Sequence, residues 1–344
     1  MTITAEKLVF DFCLYPFVGE EDWGYAFASA QVKSLETLML SKGLLQDMAS
    51  AKSFKDALDL LSASEYSSLQ GKDLEQINET LLEKRGEVRK LFVGLTVDGG
   101  IAELLEARSD FANLRLALRR KLTEKPIGVD YCDDGFVKAL EFEEVFEQEN
   151  YSPLPIYMRD AIEEAVLAYY QNKDVRQIDY ALDAEQSRYI IAKAIDLKND
   201  FLVGLFRMRA DLTNIRSMLR LKYREADELV GFVPGGYVDE SVLKHCVNLD
   251  YDSVRALFFS TPYYELVEIG INYLVANKSF LKIEQRCDQH VDGYLRSGFM
   301  VTAGSQPVIA YLLLKESEIR KVRLILTAKK NLLDTNLILD RLCE

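Results

Sequence analysis

The residues best suited to chemistry in this chain are scattered, and each grouping falls short of a site. Asp133 and Asp134 stand together as at the start of a helical prenyl-transfer motif, but Val137 sits where a further acid is needed. A magnesium-diphosphate chelate needs several carboxylates on one helical face. His290 lies two residues after Asp288 and six after Glu284, and a two-residue step does not share a helical face. It reads as a helix-surface histidine. His245 adjoins Cys246 without the third partner that an activated nucleophile requires. No GxxxxGK[ST] phosphate cradle occurs, and Asp98-Gly99-Gly100 is only a turn signal. Gly235-Gly236 follows a proline and lacks the strand-to-helix setting of a dinucleotide site. The five cysteines (Cys13, Cys132, Cys246, Cys287, Cys343) form no CxxC pair and gather no zinc set. They read as reduced thiols of an intracellular protein. The sequence therefore predicts no catalytic residue, no metal site, no cofactor and no nucleotide held by this chain.

What does recur is a positional pattern: an acid, an apolar residue, any residue, a polar residue, an aliphatic, then arginine. It appears as Asp110-Phe111-Ala112-Asn113-Leu114-Arg115, as Asp211-Leu212-Thr213-Asn214-Ile215-Arg216, and in diverged form as Glu318-Ile319-Arg320-Lys321-Val322-Arg323. The spacing of Arg115, Arg216 and Arg323 is too long for a solenoid unit and suits a domain-sized module. A second echo aligns Phe54 to Tyr66 with Tyr251 to Tyr263, setting Leu61 over Phe258 and Ser64 over Thr261. Around each motif residues recur at steps of three and four along one stripe, as in Leu104, Arg108, Phe111, Arg115, Leu118 and Leu122, so each motif belongs to a helix. The recurring arginine falls on or beside the apolar seam. It reads as structural, because a buried guanidinium must find an acceptor.

The elements that carry these motifs are long helices. Few prolines (7) and glycines (18) interrupt 344 residues, and Leu, Ala, Glu, Lys and Arg favour helix. The expected fold is all-α, with three similar helical-bundle domains at 1–128, 129–235 and 236–344. Lys125-Pro126-Ile127-Gly128 and Val233-Pro234-Gly235-Gly236 mark the two boundaries. Asn150 to Pro155 breaks a helix and starts another at Ile156. Residues 297–314 carry no charge, but Gly298, Gly304 and Pro307 make them a loop and a helix start, not a membrane span. No basic segment precedes an apolar run at the N-terminus in the manner of a secretory signal.

The net charge of -13 argues against nucleic acid as a partner. Against that acidic background the motif helices are basic: +4 over 108–125, +5 over 207–224 and +4 over 315–330. Two readings stand. The cations pair with acidic helices of the same chain, such as Glu141 to Glu149, or those beyond the seam (Arg119, Arg120, Arg220 and Lys222) form a partner interface.

Tyr25 to Glu36 (YAFASAQVKSLE), the Asp211 to Arg216 motif with Leu219-Arg220, and Gln306 to Leu313 (QPVIAYLL) with Lys315-Glu316, Glu318-Ile319, Val322-Arg323 and Ala328-Lys329 give the chain a family signature. It resembles the C subunit of V/A-type rotary ATPases, a family that includes the eukaryotic d subunit. Gln31 replaces the usual arginine of the first run and Gln306 a common acid of the last. The resemblance implies a pseudo-threefold funnel of helical domains without catalysis. It would sit at the cytoplasmic side of the membrane and join the rotor axle (subunits D and F) to the ring of c/K-type proteolipids. It further implies torque transmission in ATP-coupled proton or sodium transport. A helical protein-binding adaptor unrelated to rotary ATPases shares the composition and lacks the signatures.

Overall fold

The computed structural model describes residues 18–123, 131–226 and 230–342. Their regular elements are helices throughout. In chain order these are α1 (Ala26–Glu36), α2 (Lys42–Ser50), α3 (Phe54–Asp59), α4 (Leu74–Leu95), α5 (Gly99–Leu122) and α6 (Ala139–Glu147). There follow α7 (Ile156–Asn172), α8 (Arg176–Asp196), α9 (Asp200–Tyr223), α10 (Glu240–Asn248) and α11 (Tyr251–Phe258). The last four are α12 (Tyr264–Asn277), α13 (Leu281–Ser297), α14 (Ser305–Lys330) and α15 (Thr335–Leu342). The three repeat motifs lie in α5, α9 and α14, and α7 opens at Ile156 directly after Pro155. The Lys125–Gly128 boundary lies outside the described residues. Residues 297–314 are a 3-10 turn and the start of α14. Among the described residues no helix is long and apolar enough to cross a membrane.

Local chemistry fixes the helix ends. Asp98, expected only as a turn signal, caps α5 by accepting from Gly100 N at 2.9 Å. α4 opens on a capping box, in which Asp73 Oδ1 accepts from Gln76 N and Gln76 Oε1 accepts from Asp73 N. Several helices close on a residue with positive φ, among them Lys173 after α7 and Lys278 after α12.

The chain divides into two compact units. One comprises residues 98–257, the other residues 18–97 together with 258–342. In the first, α7 and α8 pack as a hairpin, α5 lies on both, and α9 packs on α8 and α10. Its core holds Phe111, Leu114, Leu118, Phe142, Phe146, Met158 and Leu182. α9 buries Phe201, Leu205, Met208, Leu212, Ile215 and Leu219, an apolar surface too broad for a helix lying on the outside.

The second unit is built from both halves of its discontinuous chain. Met48, Leu61, Tyr66, Leu69, Ile77 and Leu81 pack with Ile319, Val322, Ile325, Leu326 and Ile338 in one cluster. α14 is its axis and meets α1, α2, α3, α4, α13 and α15. Two of the signature runs meet here: Ser29 Oγ accepts from Gly304 N at 3.1 Å, and Gln306 Nε2 donates to Val18 O and Glu20 O.

Candidate functional site

The motif acids share one task. Asp110 accepts from Phe136 N and Val137 N, both at 3.2 Å, and from the Tyr157 hydroxyl at 2.9 Å. Asp211 accepts from Tyr237 N at 3.0 Å and Val238 N at 2.9 Å. The offset in sequence from acid to amide is the same in both pairs of bonds. The third acid, Glu318, takes a different partner. It accepts from Leu40 N at 2.6 Å, near the other end of the sequence. Val137, Val238 and Leu40 each stand one residue before the N-cap of a nine-residue helix, α6, α10 and α2. Each carboxylate therefore clasps the entry to a short helix, a charge-assisted bond roughly twice as strong as a neutral one.

The polar residue three positions on behaves alike twice. Asn113 donates to Cys132 O at 2.8 Å and accepts from Cys132 N at 2.9 Å. Asn214 does the same with Val233, at 2.8 and 2.7 Å. In α14 this position is Lys321, which turns to Asp292 at 2.6 Å. Burial pushes the Asp110 carboxyl above its ordinary range against the pull of its three donors. The second echo also has matching geometry. Ser64 Oγ donates to Leu61 O and accepts from Tyr66 N, as Thr261 Oγ1 does with Phe258 O and Tyr263 N.

Around Glu318 lies a buried polar cluster that the repeat pattern does not disclose. Lys315 Nζ donates to Glu318 at 2.7 Å and to Glu65, and the Tyr66 hydroxyl donates to Glu318 at 2.7 Å. Burial works against the charge of Lys315, but Glu318 and Glu65 outweigh it and hold its pKa above the ordinary lysine value. Burial and then Glu318 drive the Tyr66 phenol far above its usual range. On the same helix Glu316 receives Arg89 at 2.6 Å and Arg85 at 3.3 Å. The only sequence signal was the charge of Lys315, Glu316 and Glu318 inside a helix otherwise rich in aliphatics.

The arginines diverge. Arg115 pairs with Asp179 at 3.5 Å and with Asp183. Arg216 bonds back within its own helix, to Leu212 O at 3.2 Å and Thr213 Oγ1 at 3.5 Å. Arg323 is exposed on α14, away from the seam position its register suggested. Of the outer cations, Arg119 is exposed and pairs with Asp179, and Arg120 lies near the Tyr131 phenol. Arg220 is exposed. Lys222 donates to Val247 O at 3.3 Å and to Leu249 O, closing the end of α10, and lies over the Tyr251 ring. Lys121 reaches Glu149 at 2.8 Å, one pairing with the acidic segment Glu141 to Glu149.

His290 is not a surface residue. It is half-buried against the Tyr263 ring, with 5.3 Å between centroids, and burial lowers its pKa to about 4. Cys246 is buried and its thiol is pushed up to about 11. Among the described residues no group of three or more His, Cys, Asp or Glu is placed to hold a metal ion.

The arrangement ties separate segments of one chain together, and the proteins to which the chain is similar are named as subunits of an ATPase and of ATP synthases. The chain is 22% identical over 310 residues to the C subunit of the V-type sodium ATPase of Enterococcus hirae, covering 87% of this chain and 92% of that protein. To the C subunit of the A-type ATP synthase of Pyrococcus abyssi it is 24% identical over 351 aligned positions, 94% and 91% of the two chains. The C subunit of the Thermococcus onnurineus A-type ATP synthase is 22% identical, with 88% and 85% covered. The family model of the ATP synthase (C/AC39) subunit matches residues 28–341, and the chain belongs to that family.

Proposed function

We propose that this chain is a non-catalytic central-stalk subunit of a V/A-type rotary ATPase or ATP synthase. It links the axle, subunits D and F, to the membrane ring of c/K-type proteolipids at the cytoplasmic side of the membrane, and transmits torque for ATP-coupled proton or sodium transport. Membership of the C/AC39 family across residues 28–341 carries this reading. The recurrent clasp supports three copies of one module, bounded near 128 and 235 and set in a pseudo-threefold funnel. In this reading the acid of each motif helix holds the entry of the next module's first short helix, and Glu318 closes the series onto Leu40. A torque-bearing part needs elements that do not yield singly, and buried charge-assisted bonds at each join supply that stiffness.

Among the candidate interface cations Arg119 and Arg220 are exposed and Arg120 is half-buried, while Lys222 serves the end of α10. The test is assembly. Purified chain is mixed with the axle pair, with detergent-solubilised ring, and with both. A complex holding axle and ring only when this chain is present is the expected result. Binding to neither would leave a helical adaptor outside rotary ATPases as the better account.

A further inference from the structure

The first turns of α1 and the 3-10 turn before it are apolar on both sides. From Trp23 to Val32 the chain carries no charge. Tyr25, Ala28, Ser29 and Val32 are buried, where α1 lies on α14. Trp23, Ala26, Phe27 and Ala30 stand outward at steps of three and four residues. Both outward rings are open among the described residues, Trp23 at 67% exposure and Phe27 at 79%. Four residues apart on a helical path, they are neighbours on one face. Single exposed apolar residues are ordinary, but a helix apolar all round belongs in an interior, covered on each side.

The chain that leads into α1 is fastened at this place. Gln306 Nε2 donates to Val18 O at 3.1 Å and to Glu20 O at 2.9 Å, and Asp22 N donates to Ala303 O at 2.9 Å. The two donations fix which way the Gln306 amide lies. They leave its Oε1 buried with no donor among the described residues, on a side chain only 6% exposed. A buried amide oxygen calls for an N–H. Gly19, with φ 86, turns the backbone between the two clasped carbonyls. Immediately before Val18 the sequence reads Leu8-Val9-Phe10-Asp11-Phe12-Cys13-Leu14-Tyr15-Pro16-Phe17, with Asp11 as its one charge. Ten residues can span up to about 33 Å when extended. The outward face from Trp23 to Ala30 is about 10 Å long. The apolar segment is thus long enough for the apolar face, and its tether ends beside that face, which gives it a high effective concentration there.

We propose that residues 8–17 turn back at Gly19 and cover the outward face of α1, their apolar side chains on Trp23 and Phe27 and a backbone N–H of theirs on Gln306 Oε1. The segment is an intramolecular strap, and the face it covers is closed to partners while it is in place. The strap lies before the residues matched by the family model, 28–341, and does not depend on the rotor-subunit reading.

Trp23 is the one tryptophan of the chain, so its emission and its quenching by acrylamide report on this face. The full chain is compared with Phe10→Ser, Phe12→Ser and Leu14→Ser combined, and with a chain lacking residues 1–16. Expected in dilute, monomeric wild type is blue-shifted, weakly quenched emission. Both variants should shift it to the red and raise quenching, with far-UV circular dichroism unchanged. A cross-linking benzophenone side chain in place of Phe12 in the full chain separates exposure from loss of folding. Its cross-links should fall on Trp23 to Ala30, and cross-links confined to other segments overturn the strap whatever the variants do. Wild-type emission as red and as readily quenched as that of the urea-unfolded chain also overturns it, as does shielding that both variants keep. Shielding that fades on dilution in step with a dimer-to-monomer transition assigns the face to a second copy of this chain and overturns the strap as well. The rotor-subunit reading stands or falls separately, on binding of the axle pair and the ring.

Discussion

The clasps of the 98–257 unit and the clasp of the discontinuous unit perform one task with different parts. Asp110 and Asp211 are short, so the clasped loop must come close. Gly135 and Gly236, which stand at the same offset from their aspartates, permit that approach: a Cβ at either would lie far inside contact distance of the carboxylate oxygen. Glu318 is one methylene longer and reaches Leu40 N from farther off, and the matching position two residues before Leu40 is Leu38, half exposed. The longer acid removes the need for glycine. It also gains a buried lysine partner, Lys315. Side-chain length and loop residue are therefore a matched pair, and a change to one should show in the other.

The largest effect is expected where the comparison is most unequal. Glu318→Ala strands Lys315 with Glu65 alone, and leaves the Tyr66 hydroxyl and Leu40 N without their acceptor. Breaking a buried charge pair from one side costs about 3–5 kcal/mol, to be read by urea unfolding. Asp211→Ala removes two backbone acceptances, and should cost less, about 2–3 kcal/mol. Equal losses would mean that Lys315 adds nothing to the clasp.

A second contrast is in pH. His290 belongs to the discontinuous unit, and its folded pKa of about 4 lies below the ordinary 6.5. The fold holds it neutral, so its contribution is complete above about 6.5 and declines as the pH falls towards 4, by up to about 3 kcal/mol. His290→Phe should flatten unfolding free energy across that window and leave the neutral-pH slope alone. A wild-type profile unchanged by the substitution would place the acid sensitivity elsewhere.

Next come the glycines. Gly135→Ala and Gly236→Ala should each cost about 1–3 kcal/mol, since the loop must shift from its carboxylate, while Leu38→Ala should be nearly neutral. The double change Glu318→Asp with Leu38→Gly sharpens the point. If it recovers part of what Glu318→Asp loses, length and loop residue are coupled; strict additivity in the cycle breaks the comparison.

Helices were legible because they rest on local periodicity: α5, α9 and α14 carry the three motifs as the three- and four-residue steps predicted, although Arg323 lies away from the seam that its register suggested. The partners of the motif acids were not, because a carboxylate and an amide so far apart in sequence leave no pattern until the loop between them is folded. Glycine at 135 and 236 was the available signal, but Gly236 was read as turn chemistry and not as close approach, and Gly135 was given no reading. His290 was misread because a helical step predicts which side it faces, and not that Tyr263 would cover it. The outer cations were grouped by charge and by lying beyond the seam, which cannot separate Lys222 on the carbonyls of Val247 and Leu249 from the exposed Arg220.

The smallest effects divide the repeat arginines themselves. Register makes Arg115, Arg216 and Arg323 equivalent, yet their surroundings run from an ion pair, through bonds to its own helix, to open solvent. Arg115 is about a third exposed, so its pairs with Asp179 and Asp183 are screened. Arg115→Ala should cost no more than about 1 kcal/mol. Arg216→Ala should cost about as much, through lost packing of its stem as well as the bonds. Arg323→Ala should leave stability within about 0.5 kcal/mol of wild type, measured by urea unfolding of the isolated chain. The order matters more than the sizes. If Arg323→Ala were as damaging as Arg115→Ala, the third arginine would serve the fold as the first does, and its exposure on α14 would have to be set aside. If it is silent in the isolated chain but weakens assembly, the repeat has kept the residue and changed its use.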